Sequence, residues 1–523
     1  MNNESQLQLV YLSDALDQVL ADPGAAYVWH QLAPLLANCG QELQEQVLQL
    51  LQKNVPQHGI PAFLHQSLRA SILRRTEEYQ LAGQALLALQ TPHLDRIQAF
   101  IALCWARMLE SNADMAAFVS AMQKCMIPAL IARMAGMLQQ AASQQPTRRI
   151  PGEIKKVAVL TSHLGSLHHA PTRLMLQHVA MLMEMGMQVE LFCCQEMLVP
   201  HMPQLLGNGE DCTVAVGELS EWSQVLPQSL PLHIGNRRLG LLRRFANMTE
   251  NLVHYDPDLV FMVGMYSPLQ EWMYNFRPCL ALATHATAPI ASCDTWLSAD
   301  SRLSGKVLGL WGDDFKLGPA FHYPWRIRLN PVQACSRDML GLPPQATVLV
   351  IAGYRLAQEI QGEWAQRMLH MLQQHPDLIL LLVGDDSQTP PALAHAPEGQ
   401  VRLLPHQENL GGIYACCDIY VNPARMGGGF SVLEAMGNGL PVLALAGGDG
   451  GKKLQQYAHK DLDAYFAQLA TWLRDSSARE QAGRQQKVMY FQQYDLASAS
   501  SALKLAMEQA RTHAQTRLKA VQS

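Results

Sequence analysis

A chain of 523 residues, 49% hydrophobic and only 16% charged, is too long for one ordinary core and too apolar for a disordered polymer. Domain sizes of ~100–200 residues point to about three domains. The 39 Lys and Arg against 44 Asp and Glu leave a net charge of −5, which offers no general attraction to nucleic acid or to an anionic membrane.

The opening MNNESQLQLV has no basic segment followed by an apolar run, so nothing reads as a secretion signal. The most apolar later stretches, such as Leu378 to Gly384, are too short to span a bilayer. The 11 cysteines are scattered, with adjacent pairs at Cys193–Cys194 and Cys416–Cys417 and no C-x-x-C. Neither a disulfide framework nor a zinc knuckle is indicated, and a reducing cytoplasm is the expected location.

Residues 1–146 are rich in Leu, Ala and Gln, with apolar residues at three- and four-residue spacing, as in Leu43, Val47, Leu48 and Leu51. Breakers at Asp22-Pro23-Gly24, Val55-Pro56 and Thr91-Pro92-His93 cut this region into helical hairpins. No residue pattern repeats at a fixed period, so the region reads as an all-α domain without a named repeat. A polar linker follows at Gln144–Arg149.

Beyond it the pattern alternates. Apolar strands begin at Lys156, Val189, Asp258, Leu280 and Thr295, with a helix from about Thr172 to Met187. A second series begins at Thr347 and continues at Leu378, Val401, Ile419 and Pro441, with a helix from Trp364 to Gln374. Near-continuous apolar strands alternating with helices imply parallel sheets covered on both faces, in two doubly wound blocks with a cleft between them. The expected limits are 1–146 for the helical domain, 152–328 and 329–475 for the two Rossmann-like domains, and 476–523 for C-terminal helices. The last fifteen residues are polar enough to fray.

The strongest local signal is Asn422 to Val442, NPARMGGGFSVLEAMGNGLPV, which reads as strand, glycine loop, helix and strand. Gly427, Gly428 and Gly429 allow close backbone approach to a ligand, and a helix starting near Ser431 aims N–H groups at an anion. Glu434, one turn on, is placed to accept hydrogen bonds from ribose hydroxyls. A merely structural joint needs only one or two glycines, so a diphosphate sugar is the favoured ligand. No Gly-Lys-Ser/Thr follows, so this is not a Walker loop.

That segment resembles the donor-site motif of B-type glycosyltransferases, whose fold is two facing doubly wound domains. Many retaining members carry two glutamates eight positions apart there. Here Glu434 holds the second position, but Met426 holds the first, which counts against the retaining families. Gly165-Ser-Leu-His-His-Ala-Pro-Thr-Arg-Leu-Met175 is similar to a loop of the O-GlcNAc transferases. Asp258-Leu-Val-Phe-Met-Val-Gly264, with Arg277-Pro278 and the His285-Ala-Thr-Ala-Pro289 turn, has the spacing of a second signature. Thr284-His285-Ala286-Thr287 is similar to a turn of the bacterial adhesin N-glucosyltransferases. The resemblance covers roughly residues 155–445 and is family 41-like. Those relatives also begin with a helical domain.

The resemblance implies a glycosyltransferase that inverts at the anomeric carbon and acts on a protein side chain. Its co-substrate would be a nucleotide sugar, UDP-linked, with no further cofactor and no metal. The helical domain would engage the acceptor protein, an adhesin or other surface protein. Gly427, Gly428, Gly429 and Ser431 would hold the diphosphate, and Glu434 the ribose. The family's diphosphate lysine is missing from the loop Ala352-Gly-Tyr-Arg-Leu-Ala-Gln358, where Arg355 could supply the charge. His169, with His168 as the adjacent alternative and His163 as a weaker one, would serve the acceptor side as base or hydrogen-bond donor. For His285 and Thr287 a turn-stabilising role competes with an acceptor-side one. Two other functions stay open: transfer to a polysaccharide or lipid-linked glycan, and a non-catalytic scaffold that binds nucleotide sugar.

The triplets Asp256-Pro-Asp258 and Asp461-Leu-Asp463 read as solvated faces rather than a metal motif, and Asp385-Asp386 as a turn. Arg237, Arg238, Arg243 and Arg244 have helical spacing and read as an exposed basic face first and as a partner surface second.

Overall fold

The computed structural model describes residues 10–15, 17–18, 21, 40–53, 55–110, 115–167, 169–196, 222, 225–226, 230–284, 288–299, 310–324, 326–384, 389–407, 409–425 and 429–520. The Asp22-Pro23-Gly24 breaker and Asp385-Asp386 lie outside them. The chain divides into two compact units, Met1–Tyr323 with Leu503–Ser523, and Pro324–Ala502.

The first unit opens with helices α1 (Gln41–Lys53), α2 (Gly59–Leu73), α3 (Thr76–Leu87), α4 (Leu94–Glu110), α5 (Met115–Lys124) and α6 (Ile127–Ala141). Apolar periodicity explains them: Val47 and Leu51 are buried on α1, and Leu130, Ile131, Met134 and Leu138 on α6. The α2–α3 hairpin turns at Arg74 in the left-handed region and is tied by a two-pronged Arg69–Glu78 pair at 2.8 and 3.0 Å. Arg133 closes the end of α3 by donating to the carbonyls of Leu87, Leu89 and Gln90.

A parallel sheet follows, with strands β1 (Lys156–Thr161), β2 (Gln188–Cys193), β3 (Leu232–Ile234), β4 (Leu259–Val263), β5 (Cys279–Leu282), β6 (Thr295–Ser298) and β7 (Ala320–His322). Their order is β3-β2-β1-β4-β5-β6-β7. Helices α7 (Ala170–Glu184), α8 (Leu241–Tyr255) and α9 (Pro268–Tyr274) lie between strands. Every residue of β4, β5 and β6 is buried, as an all-parallel sheet requires. At the entering edge Asp258 accepts the N–H groups of Lys155 and Lys156, both at 2.9 Å, and pairs with Arg149. This aspartate therefore caps the strands at the edge opposite to the ligand-binding one.

The second unit holds β8 (Thr347–Ala352), β9 (Leu378–Val383), β10 (Val401–Leu404), β11 (Ile419–Asn422) and β12 (Val442–Ala444), all parallel, in the order β10-β9-β8-β11-β12. Its helices are α10 (Leu356–Glu359), α11 (Gly362–Gln374), α12 (Leu410–Ala415), α13 (Phe430–Asn438), α14 (Asp449–Leu454), α15 (Leu462–Arg474) and α16 (Ser476–Gln493). Leu349, Ile351, Leu380 and Leu382 pack with Trp364, Tyr465 and Trp472 in its core. Asp461 caps the start of α15, and Asp463 pairs with Arg367 on the surface.

Sheets of seven and five parallel strands after a helical region are the fold class expected. Two readings are corrected. The last helix, α17 (Ser500–Ala520), does not fray over its described length. Ala514 and Leu518 are buried, and Arg517 grips Asp294 with two nitrogens at 2.7 and 2.9 Å while lying over the Tyr274 ring. The arginine cluster is not one exposed face either. Gly240 is the N-cap of α8, so Arg237 and Arg238 precede the helix, and Arg244 points inward at 1% exposure. No described helix is long and apolar enough to cross a membrane.

Candidate active site

In each sheet the strand order reverses beside the central strand, between β1 and β4 and between β8 and β11, and ligands of such sheets gather at the carboxyl ends there.

In the second unit the loop after β8 meets the loop after β11. A Cβ on Gly353 would stand 2.8 Å from Arg425 Nη1, so the guanidinium packs directly against the backbone of this loop. Arg425 is buried and highly connected. Its Nη2 donates to the Ala352 carbonyl (3.1 Å), Tyr420 Oη (2.9 Å) and Ser431 Oγ (3.1 Å), and its Nη1 to Glu359 Oε2 (3.1 Å). Burial disfavours this guanidinium, but Tyr420, Glu359 and Asp449 more than offset that and raise its pKa above the ordinary arginine value. Arg355, the N-cap of α10, donates to the other oxygen of Glu359 at 3.0 Å. Two guanidinium groups thus share one carboxylate.

Gly429 is the N-cap of α13 at φ 65°, a conformation that favours glycine. The Ser431 hydroxyl is engaged by Tyr420 (2.8 Å) as well as Arg425. Glu434 is buried one turn into α13. The structure therefore links Arg355, through Glu359 and Arg425, to Ser431 at the start of the glycine-led helix. Gly427, Gly428 and Met426 lie outside the described residues. Arg425 stands inside the run Asn422 to Val442, and its signal was a lone cation between the strand end and the glycines.

In the first unit the loop after β1 is a built structure. Thr172 Oγ1 accepts the Gly165 N–H at 2.9 Å and bonds His169 Nδ1 at 2.8 Å. Trp222 Nε1 donates to the Gly165 carbonyl at 2.8 Å. His169 is the N-cap of α7, which Pro171 opens, and its ring meets that of buried His163 edge-on at 5.9 Å. His168, His285 and Thr287 lie outside the described residues.

Beside this loop is a carboxyl that pattern reading missed. Glu196 donates its N–H to the Ser162 carbonyl at 2.8 Å, yet its side chain is 1% exposed. Burial pushes its pKa up to about 8, against the opposing pull of Arg244. Arg244 Nη1 donates to the carbonyls of Cys194 and Gln195, and Asp95 from α4 lies 3.8 Å from its other nitrogen. Among the described residues, no three His, Cys, Asp or Glu side chains converge to hold a metal.

Residues 346–475 match the model of the family described as Glycosyl transferases group 1. No curated protein matches the chain. Among solved structures, an O-GlcNAc transferase mutant from Thermobaculum terrenum matches 99% of this chain and 100% of its own, at 14% identity and a TM-score of 0.52. WaaG, a glycosyltransferase involved in lipopolysaccharide biosynthesis, matches 66% of this chain and 98% of its own, at 15% identity and 0.41. The glycosyltransferase SnogD from Streptomyces nogalater matches 68% and 100%, at 14% and 0.39. The chain has the B-type glycosyltransferase fold, and the glycosyltransferase family match lies in its second unit. Its group 1 domain is the segment 346–475, which carries the Arg355–Glu359–Arg425 network and α13.

Proposed function

We propose that this glycosyltransferase moves a sugar from a UDP-linked donor to a protein side chain, with inversion and without an obligatory metal. The observation that carries the protein-acceptor reading is the loop Gly165–Thr172. The residues that resemble the O-GlcNAc transferase loop are also the ones that hold one another, with Thr172 binding both Gly165 and His169. The likeness in fold to an O-GlcNAc transferase along nearly the whole chain supports the same reading.

In this mechanism the N–H groups at the start of α13, from Gly429 onward, and the Arg355 guanidinium meet the negative charge that grows on the leaving diphosphate. Ser431 contributes through its backbone, because its hydroxyl already holds Arg425 and Tyr420. Glu434 accepts from the ribose. The Thr172 contact orients the His169 ring, so that its Nε2 serves the acceptor hydroxyl or amide. The acceptor protein is recruited by the helical domain, in the cytoplasm.

The test incubates the full chain with UDP-sugars and follows transfer to co-expressed proteins by mass spectrometry, with and without a chelator. Labelled protein, unaffected by chelation, is the expected result, and the anomeric configuration of the product reports inversion. His169→Ala should lower turnover by ~10²–10⁴ while nucleotide affinity stays near the parent's. Label appearing only in a glycan or lipid fraction would replace the acceptor assignment. A chain that binds no nucleotide in calorimetry would instead be a scaffold.

A further inference from the structure

Gln195, the second residue after β2, is 2% exposed and has φ 53°, a conformation that L side chains rarely adopt. Its neighbours keep it there. Arg244 Nη1 donates to the Gln195 carbonyl at 2.7 Å and to that of Cys194 at 3.1 Å. Gln195 Oε1 accepts the Leu164 N–H at 3.4 Å, and Glu196 donates its N–H to the Ser162 carbonyl at 2.8 Å. Gly235 packs on Cys194, where a Cβ would stand 2.6 Å from the Cys194 carbonyl oxygen. The turn after β2 is thus bonded at two points to the loop after β1. In that loop Thr172 Oγ1 holds both Gly165 and His169.

Arg244 is fixed in turn from the helical region. Asp95 of α4 is 1% exposed, and its Oδ1 accepts the Leu241 N–H at 2.8 Å, one turn before Arg244 on α8. The same oxygen stands 3.8 Å from Arg244 Nη2, while Oδ2 pairs with His93 Nδ1 at 2.9 Å. Three residues along α4, Gln98 Oε1 accepts the Tyr266 hydroxyl at 2.9 Å, beyond the carboxyl end of β4. A glycine would reach the backbone conformation of Gln195 without strain. A glutamine keeps that strain and gains the contact of its amide oxygen with the Leu164 N–H. Strain that buried partners hold beside a functional loop points to a positioning role.

Resting on the acceptor-side reading of His169 above, we propose that Gln195 is a positioning residue for that histidine, with Arg244 and Asp95 as the strut behind it. Gln195 acts through Leu164 and Gly165, whose placement sets Thr172 Oγ1 and so the direction of the His169 ring. The helical region thereby completes the acceptor side of the first unit, in addition to recruiting the acceptor. Misplacing a reacting group by ~1 Å costs up to ~10²-fold in rate, so loss of the strut shows in turnover rather than in donor binding.

The experiment compares the full chain with Gln195→Gly, His169→Ala and the double variant. Label transfer from UDP-glucose and UDP-N-acetylglucosamine to the proteins of a cell extract gives the turnover and the donor KM. Amide hydrogen exchange is followed at Leu164 and Gly165. Gln195→Gly removes the strain together with the contact, so its melting temperature should equal or exceed the parent's. Exchange at the two amides should rise, and turnover should fall ~10–100-fold at an unchanged donor KM. In the His169→Ala background the same change should cost under ~2-fold, because the group it positions is gone. Gln195→Asn, which also tolerates the left-handed region but is one carbon short of Leu164, should behave like Gln195→Gly. Unchanged exchange, parent-like turnover or an equal loss in both backgrounds would overturn the positioning role and leave the His169 reading standing. So would a melting temperature that falls together with turnover, the mark of a merely structural residue. A fully active His169→Ala, or a parent that labels no protein, would overturn both.

Discussion

Glu196 shows how burial overrides an ordinary side-chain property. An unfolded glutamate ionises near 4.5, whereas burial raises Glu196 to about 8 in the fold. Between those values the folded chain keeps a proton that the unfolded chain has released. The favourable contribution present below about pH 4.5 is therefore lost as pH rises through about 8. Glu196→Gln, which copies the neutral form, removes that dependence. Chemical denaturation from about pH 5 to about pH 9 should show the variant gaining on the parent by on the order of 3 kcal/mol at the alkaline end. Parallel curves would mean that Glu196 is ionised in the fold. The same scale explains why Arg244 was misread. Spacing alone placed it with Arg237, Arg238 and Arg243, while the start of α8 at Gly240 turns it inward to two carbonyls.

Helix contacts depend on single glycines in a way that periodicity does not show. Gly83 on α3 lies against the turn between α5 and α6, and a Cβ there would stand 2.5 Å from the Cys125 carbonyl oxygen. Gly136, on α6, has nothing within 4 Å of the same position. Gly83→Ala should therefore cost ~1–3 kcal/mol, because backbone must move. Gly136→Ala should gain ~0.5–1 kcal/mol from helix propensity. Urea denaturation of the two variants should move the midpoint in opposite directions. A loss in both would place Gly136 in a contact that the fold does not show. In sequence the two glycines look alike, each a break in an Ala- and Leu-rich helix.

At the scale of the whole molecule, the C-terminal helix returns to a strand more than two hundred residues earlier. Arg517 holds Asp294 at the entering end of β6, and His513 Nδ1 bonds the Asp294 carbonyl at 2.8 Å. Asp294 is 3% exposed, and its other partner is the Cys279 N–H. Arg517→Met leaves that carboxylate buried without its cation and should destabilise the first unit by ~3–5 kcal/mol. Thermal unfolding of the full chain would register this as an earlier melting transition. An unchanged transition would make the clasp incidental.

The alternation of apolar strands and helices, the helix beginning beside Ser431 and the helical character of the first domain were all legible in the chain. Each is a local pattern whose physical cause, strand burial or helix periodicity, acts over a few residues. Arg425 and Glu196 were not legible. Arg425 takes its meaning from Glu359 and Ala352, and Glu196 from the burial around it. Polarity in a sequence predicts exposure, and only tertiary packing can bury a charge and set the partners that make it bearable.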